Sequence, residues 1–305
     1  MTGSGLFVAY DPAYVQPLPP DHRFPMIKYE LLAEQLVYEG LVQSGHFHTP
    51  GRCLTEIAGL THTQEYQHKL LHQQLTPREQ RVIGFPQSPA LTHREYVITQ
   101  GTIDCCLHAL HGGVALNIAG GTHHAFADHG EGFCLLNDFA VAANYLLHAG
   151  VAKKVLIIDL DVHQGNGTAS IFSNNPDVFT FSMHGGNNYP FHKENSDVDI
   201  PLEDGISDTA YLGILHEALP PVIAAFQPDF AFYLSGVDIL ATDRFGKLKV
   251  TAAGCSARDR FVFSALKTAG IPVTVAMGGG YSPHVRDIVN AHCQTFREAA
   301  RIFGK

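Results

Sequence analysis

The chain has 305 residues, of which 45% are hydrophobic and 16% are charged, a balance typical of folded globular proteins that excludes extended disorder. Its formal net charge is −9, and no basic run is longer than a pair such as Lys153-Lys154, which argues against direct binding to nucleic acid. An acidic balance of this kind would suit a cationic substrate.

The sequence contains neither a targeting signal nor a run of 18 consecutive apolar residues, so we expect no membrane association. Its six cysteines include no C-x-x-C pair, and a chain of this size does not need disulfides for stability. We therefore expect a soluble cytoplasmic protein with reduced thiols.

The predicted elements begin with a strand at residues 6–10 and a helix at 27–38, where apolar side chains recur with helical spacing. Residues 62–110 are predicted to be helical, with breaks at Thr76-Pro77 and at the loop of Pro86 and Pro89. A second strand is predicted at 113–119.

From residue 136 onward, strands and helices alternate. The predicted helices are 136–149, 207–226, 251–269 and 283–302, and the predicted strands are 154–161, 177–183, 229–235 and 272–277. We expect Pro220-Pro221 to kink or split the second of these helices, and Ser282-Pro283 to open the last. This rhythm predicts an α/β fold for residues 1–305, a single domain with a doubly wound, mainly parallel sheet flanked by helices.

Ligands of such sheets bind beyond the carboxyl ends of the strands. Polar residues follow four of the predicted strands: His123 and His124, Asp161 and His163, Asp238, and Tyr281. Four strand ends that deliver polar groups to one edge predict a functional site there.

The segment V-L-I-I-D-L-D-V-H-Q-G-N-G-T at 155–168 predicts a buried strand that ends in polar residues. Asp159, Asp161 and His163 are spaced two apart, so an extended backbone would point all three to one face. Two neighbouring buried carboxylates repel each other unless a cation or a protonated imidazole lies between them. We therefore predict a metal site.

Asp161, His163 and Asp238 offer three mixed nitrogen and oxygen ligands, which suit Zn²⁺ with an open position for water, or Fe²⁺ or Co²⁺. The alternative is that the aspartates cap helices and the histidine is a core residue. Asp243 lies close to Asp238 in sequence, and an aspartate after a strand is commonly a turn residue.

His123 and His124 could serve as general base and general acid, with Asp159 and Asn166 as the available partners. Tyr281 follows Gly278-Gly279-Gly280, and its hydroxyl could donate to a developing oxyanion. The alternative is that the histidines are structural and that Tyr281 packs behind a tight turn.

One rival motif is the D-x-D-x-T signature of haloacid dehalogenase-like phosphatases, which use an aspartyl nucleophile. Asp159-x-Asp161 matches its beginning, but the fifth position is His163. That interpretation also leaves the histidine pair and Tyr281 without a role. A dinucleotide-binding loop is excluded because neither glycine cluster continues as G-x-G-x-x-G.

Four motifs together resemble the zinc-dependent histone deacetylase and acetylpolyamine amidohydrolase superfamily, which has the arginase/deacetylase fold. They are G-T-H-H-A-F-x-D-x-G-E-G-F-C-L-L-N-D, I-D-L-D-V-H-Q-G-N-G, G-V-D-I-L-A-T-D-R-F-G and G-G-G-Y. Gln164 and Asn166 are most similar to the class IV branch and its bacterial relatives, since class I members usually have His and Asp there. Arginases on this fold use a D-x-H-x-D element for a second metal, and here its last position is Gly165, which favours a mononuclear site.

The resemblance implies that Asp161, His163 and Asp238 bind zinc, that His123 pairs with Asp159 and His124 with Asn166, and that Tyr281 polarises the acyl carbonyl. It implies a narrow substrate tunnel lined by Gly132, Phe133 and Tyr189. Arg23 would guard an internal cavity through which acetate leaves. A structural K⁺ would be held by backbone carbonyls around Asp159, Asp161, His163, Ser182 and Met183.

We therefore hypothesise a zinc-dependent amidohydrolase that removes acetyl or other acyl groups from lysine side chains by means of a metal-activated water. An acetylpolyamine or other small-amide deacetylase is the alternative, and a non-catalytic acyl-lysine-binding protein is a third. The partner would be an acyl-lysine protein or peptide, or an acylated small amine. The sequence leaves the physiological substrate, the acyl length, the native metal and the oligomeric state open.

Overall fold

The computed structural model describes residues 5–304, and residues 1–4 and 305 lie outside this range. Its strands are, in chain order, β1 Phe7–Ala9, β2 Val114–Asn117, β3 Val155–Asp159, β4 Val178–Gly185, β5 Val198–Leu202, β6 Phe230–Leu234 and β7 Val273–Ala276. They form one seven-stranded sheet in the order β1-β2-β7-β6-β3-β4-β5, and every pairing is parallel.

Helices flank this sheet. They are α1 Lys28–Tyr38, α2 Thr55–Ala58, α3 Gln64–Leu71, α4 Pro77–Ile83, α5 Pro89–Gly112, α6 Asp138–His148, α7 Asn166–Phe172, α8 Asp208–Phe226, α9 Ala252–Thr268 and α10 Val285–Phe303. The predicted α/β architecture with a parallel sheet is confirmed. The predicted breaks also lie where expected, since Thr76 caps α4 with a capping box and α5 begins at Pro89.

The central strands are buried on both faces, which is why they read as continuous apolar runs. All five residues of β3 and all five of β6 are buried. Because β3, β6, β7 and β2 are neighbours and parallel, their carboxyl ends meet at the same edge of the sheet. The predicted metal ligands, the histidine pair and Tyr281 all lie in the segments that follow these four strands.

Strand β5 is missing from the predicted elements. Its sequence, V-D-I-P-L, contains Pro201, and only the last of its five residues, Leu202, is buried. Proline has no N–H to donate. It is tolerated on an edge strand because one side of such a strand has no neighbouring strand that would accept that hydrogen bond. Only the position of β5 at the border of the sheet makes this segment a strand.

Of the two outcomes expected for Pro220-Pro221, a kink or a split of the helix, the split is wrong. Helix α8 runs without interruption from Asp208 to Phe226 and contains both prolines. Their missing N–H groups would leave the carbonyls of His216 and Glu217 without helical partners. These two residues and both prolines are exposed, so water can satisfy the freed carbonyls.

The start of the last helix differs from the prediction. Helix α10 begins at Val285 with His284 as its N-cap, so the prediction that Ser282-Pro283 opens it is wrong. The Ser282 hydroxyl instead forms a hydrogen bond with the Thr242 hydroxyl at 2.9 Å.

By length and composition, α8 would be long enough to cross a membrane, but it forms the crossover from β5 to β6 and packs against α9.

The buried imidazole of His62 supports the start of α6. Its Nε2 accepts a hydrogen bond from the backbone N–H of Asn137 at 2.9 Å, and the Asn137 side chain caps the helix. Burial lowers the pKa of His62 to about 4. The neutral ring is therefore the form that the folded protein requires.

We expect this histidine to make the protein sensitive to acid. Because its pKa is lower in the folded state, the unfolded chain binds more protons below pH 6.5, and the free energy of unfolding falls as the pH falls toward 4. Urea unfolding at pH 7 and pH 5 should show wild type losing about 2 kcal/mol more than His62→Gln. The exposed control His192→Gln should behave like wild type. Equal losses in wild type and His62→Gln would refute the assignment.

Candidate active site

Three side chains from two neighbouring strands converge at the centre of the sheet edge. Asp161 and His163 follow β3, and Asp238 follows β6. One potential ligand atom from each lies within 4.8 Å of the others, and all three residues are buried. The strand itself ends at Asp159, so a bend, rather than the strand alternation predicted from the sequence, brings Asp161 and His163 together.

The remaining contacts of this cluster match a metal site. His163 Nδ1 lies 2.9 Å from Asp161 Oδ1 and 3.2 Å from Asp238 Oδ2. Asp238 Oδ1 accepts from the Val162 N–H at 2.9 Å, but its buried Oδ2 has no hydrogen-bond partner within the described residues. A buried carboxylate oxygen directed at two other ligand-type groups is what a bound cation would satisfy.

The electrostatics of the cluster lead to the same conclusion. Burial first, and then the charge of Asp161, raise the pKa of Asp238 to about 7. Burial opposes a charge on His163, but the two carboxylates beside its Nδ1 outweigh that effect and raise its pKa to about 10. Two buried carboxylates thus favour positive charge between them, which a protonated His163 or a divalent cation would provide.

The glycines after β7 allow the backbone to approach these carboxylates closely. The N–H of Gly279 donates to Asp161 Oδ2 at 2.7 Å. A Cβ at this position would lie 1.9 Å from Asp238 Oδ2 and 2.7 Å from Asp161 Oδ2. No side chain fits there without displacing the ligand set.

The two adjacent histidines have different partners. His123 Nδ1 lies 2.6 Å from Asp159 Oδ2, and His124 Nδ1 lies 2.7 Å from Asn166 Oδ1. Burial alone would lower the pKa of His123, but the charge and hydrogen bond of Asp159 outweigh it, and the net shift is upward. Burial first, and then the charges of His123 and His163, hold the pKa of His124 well below its usual value. One imidazole therefore favours a proton and its neighbour favours the neutral form.

Residues outside this pair hold it in place. Asp138, at the start of α6, accepts hydrogen bonds from the N–H groups of Gly121 and Thr122, both at 2.9 Å, and thereby fixes the loop before the histidines. Glu131 accepts from the Asn166 side-chain amide, which leaves the amide oxygen directed at His124. Both acids stand in the motif at residues 121–138, but no local pattern indicates what they contact.

Tyr281 lines the same site from the segment after β7. Its ring centroid lies 6.3 Å from that of His163. Burial first, and then the charges of Asp161 and Asp238, hold the pKa of the phenol well above its usual value, so the hydroxyl keeps its proton at neutral pH. Asp243 accepts from the Tyr281 N–H at 2.6 Å and also from two N–H groups of its own loop. The structure thus separates Asp238, which belongs to the ligand cluster, from Asp243, which is a loop residue.

A buried lysine that the sequence analysis did not single out lies beneath Tyr281. Lys28 Nζ donates to the carbonyl of Gly278 at 3.0 Å and lies 5.5 Å from the centroid of the Tyr281 ring. Burial lowers its pKa to about 8, although the carboxylates of Asp238 and Asp161 oppose this shift. Lys28 anchors the glycine segment that carries Tyr281. The helical spacing of 27–38 predicts a helix there but not the direction of this amine.

The three residues predicted to form a tunnel are brought together above the site. Gly132, Phe133 and Tyr189 line one outer cavity of about 470 Å³, whose inner end reaches His124, His163 and Tyr281. The Tyr189 and His124 ring centroids are 5.0 Å apart, and those of Phe133 and Tyr281 are 6.0 Å apart. Aromatic walls thus surround the approach to the ligand cluster.

Gly132 has a specific steric role in this wall. Its φ is +55°, and a Cβ there would lie 2.6 Å from His124 Cδ2. We expect Gly132→Ala to displace the imidazole and lower kcat by about 10²-fold, because displacements near 1 Å at a reacting group have effects of this size. Gly150→Ala is the matched control, since Gly150 has φ +67° with nothing within 4 Å. Steady-state kinetics that showed equal kcat for the two variants would exclude this role.

The expected role of Arg23 at an internal cavity is wrong. Arg23 is exposed and lines the outer cavity, with its guanidinium carbon 5.6 Å from the Phe245 ring centroid. A separate inner cavity of about 30 Å³, behind His123 and Asp161, is lined by Arg94 instead. The sequence match around Arg23 is local and does not determine which way the loop before α1 directs the side chain.

Three of the residues named for the potassium site lie on adjacent strands. Asp159 of β3 pairs with Ser182 of β4, and Met183 follows directly. Strand pairing does not test for a bound ion, so the structural K⁺ remains a prediction.

Comparisons with known proteins agree with this geometry. A histone deacetylase domain matches residues 22–296. An uncharacterized protein of Picosynechococcus is 42% identical over 299 residues, which cover 98% of this chain and 100% of the relative. Histone deacetylase 2 of Arabidopsis thaliana is 29% identical and is matched over 85% of this chain and 70% of its own length. The crystal structure of an HDAC homologue complexed with SAHA superposes with a TM-score of 0.85 at 25% identity, covering 99% of this chain and 84% of that one. The chain therefore belongs to the histone deacetylase family of hydrolases.

Proposed function

We propose that this protein is a zinc-dependent amidohydrolase that removes acetyl or other acyl groups from lysine side chains. One observation carries the proposal: the aromatic-walled outer cavity ends at His124, His163 and Tyr281, and His123 and the other two ligands adjoin these residues. Family membership supports deacetylase activity, and the geometry supports a long, thin acylated side chain as the substrate.

Asp161, His163 and Asp238 would hold the metal, and their mixed oxygen and nitrogen donors suit Zn²⁺, with Fe²⁺ as the alternative. When bound, such an ion supplies Lewis-acid chemistry that polarises a carbonyl and makes water a nucleophile near neutral pH. Gly165 replaces the carboxylate that a second ion would need. A mononuclear site follows.

The chain's own groups would divide the proton transfers. His124, kept neutral beside the amide of Asn166, accepts the proton of the attacking water. His123, paired with Asp159, stabilises positive charge on the imidazole pair, and a protonated imidazole donates to the departing amine. The Tyr281 hydroxyl donates to the oxyanion of the tetrahedral intermediate.

The cavity walls would determine which amides reach these groups. Phe133 and Tyr189 approach the inner end of the cavity from different segments, so apolar surface surrounds the position of a lysine stem. A thin methylene chain can pack between two rings, whereas an amide with a bulky substituent on its nitrogen cannot. Acyl-lysine in a protein or peptide meets this requirement, as does an acylated small amine, and the substrate panel distinguishes the two.

The test is hydrolysis of a panel of acyl-lysine peptides and acetylputrescine by metal-loaded enzyme, with and without a chelator. Chelator-sensitive release of acyl groups from the peptides is the expected result. Turnover of acetylputrescine alone would replace the proposal with a small-amide deacetylase. Full metal binding without hydrolysis of any acyl length would indicate a non-catalytic binding protein.

We also propose that the protein acts in the cytoplasm. All six cysteines are buried and unpaired, which supports a reducing compartment. Fractionation of cells that express the protein would test this location.

A further inference from the structure

The outer cavity is bordered by positive charge. Four of its lining residues are arginine or lysine and none is aspartate or glutamate; the four are Arg23, Arg81, Arg244 and Lys247, here called the cationic rim. All four side chains are exposed. Among residues 5–304, none of them has a carboxylate oxygen within 4.0 Å.

The rim is assembled from three separate parts of the chain. Arg23 precedes α1, Arg81 lies in the last turn of α4, and Arg244 and Lys247 follow β6. Contacts hold two of them at the cavity mouth: the Arg23 guanidinium carbon lies 5.6 Å from the Phe245 ring centroid, and Lys247 Nζ donates to the Asn187 carbonyl at 2.8 Å. Although the chain has a net charge of −9, the mouth of its active site is positively charged. This local charge overrides the expectation of a cationic substrate that net charge suggested.

The position of the rim determines which part of a substrate it meets. A lysine stem would pass Phe133 and Tyr189 to reach the ligand cluster, so its backbone and the flanking residues remain at the mouth beside the rim. An anionic acyl group would instead extend toward the inner cavity, where Arg94 is already ion-paired with Glu95. Unpaired cations are therefore available on the amine side of the scissile bond.

We propose that the cationic rim selects acyl-lysines that lie in acidic peptide segments, with carboxylates of flanking Asp or Glu residues binding at the mouth. This inference rests on the proposed lysine deacylase function and names its substrate class. It disfavours acetylated polyamines, because their remaining ammonium groups would meet charges of the same sign.

The test uses three acetyl-lysine peptides of equal length, flanked by Asp and Glu, by Ser and Gln, or by Lys and Arg. For the metal-loaded full-length enzyme at low salt, we expect kcat/KM for the acidic peptide to exceed that for the basic one by about 10-fold or more, mainly through KM. The ratio should shrink at about 500 mM NaCl, where the screening length is only a few ångströms.

The double variant Arg23→Gln/Arg244→Gln, which removes two of the four rim charges, should lower the acidic-to-basic ratio toward one. Both peptides are measured on the same preparation, so a partly unfolded sample does not change this ratio. Lys153→Gln, a charge loss before β3 at the opposite edge of the sheet, should leave the ratio at its wild-type value. Equal kcat/KM for the three peptides, or a preference for the basic peptide or acetylputrescine, would overturn the inference while leaving the deacylase function in place. Hydrolysis of no peptide would overturn both.

Discussion

Asp238→Ala is expected to lose the metal and to lower kcat by at least about 10³-fold, because a catalytic metal lowers the activation barrier by several kcal/mol. The variant removes one of three proposed ligands and the carboxylate oxygen that has no hydrogen-bond partner among the described residues. Metal content after dialysis against zinc, measured by mass spectrometry, checks the binding, and peptide hydrolysis checks the activity.

Two further variants make this result specific. Asp238→Asn retains an oxygen that can accept the Val162 N–H, so it should fold like wild type and still bind metal weakly. Asp204→Ala removes an exposed aspartate and should keep full metal content and activity. Stoichiometric zinc in the folded Asp238→Ala protein would remove this residue from the ligand set.

Tyr281→Phe is expected to keep the metal and lower kcat by about 10² to 10³, the effect of removing one oxyanion donor. The ring packs against Phe245 and Phe24, with centroids 4.9 Å and 6.1 Å away, and phenylalanine preserves this packing. Because the hydroxyl would act only in the transition state, kcat and kcat/KM should fall together.

Measurements of zinc content and thermal unfolding separate this effect from loss of structure. Tyr38→Phe, at a side chain that is 86% exposed, is the matched control and should be indistinguishable from wild type. A Tyr281→Phe enzyme with kcat within about twofold of wild type would exclude the hydroxyl from the mechanism, since an oxyanion donor contributes far more.

Strong local patterns predicted most elements of the fold. The continuous apolar strand at Val155–Asp159 and the capped helix at Pro77–Ile83 are specified by their own residues, so short windows of sequence identify them. Val198–Leu202 was not predicted as a strand, and the split expected at Pro220-Pro221 within Asp208–Phe226 did not occur, for the opposite reason. Both segments contain proline, and the structure of each depends on its surroundings. Val198–Leu202 lies at the border of the sheet, and the prolines of Asp208–Phe226 face solvent.

The candidate site divides in the same way. Residues at strand ends could be named in advance because the carboxyl ends of parallel strands share one edge, and Asp161, His163 and Asp238 do meet there. Arg23 and Lys28 could not be placed, since long, flexible side chains take directions that the packing around them decides.

By itself, the sequence determined the family, the parallel architecture and the types of chemical group available, because these depend on motifs and on hydrophobic periodicity. The tertiary structure alone decided that the neighbouring Asp243 holds a loop, and that four cations from three segments surround one mouth. Both outcomes depend on contacts between residues far apart in the chain, and no local pattern encodes the sign of charge at a surface assembled from distant segments.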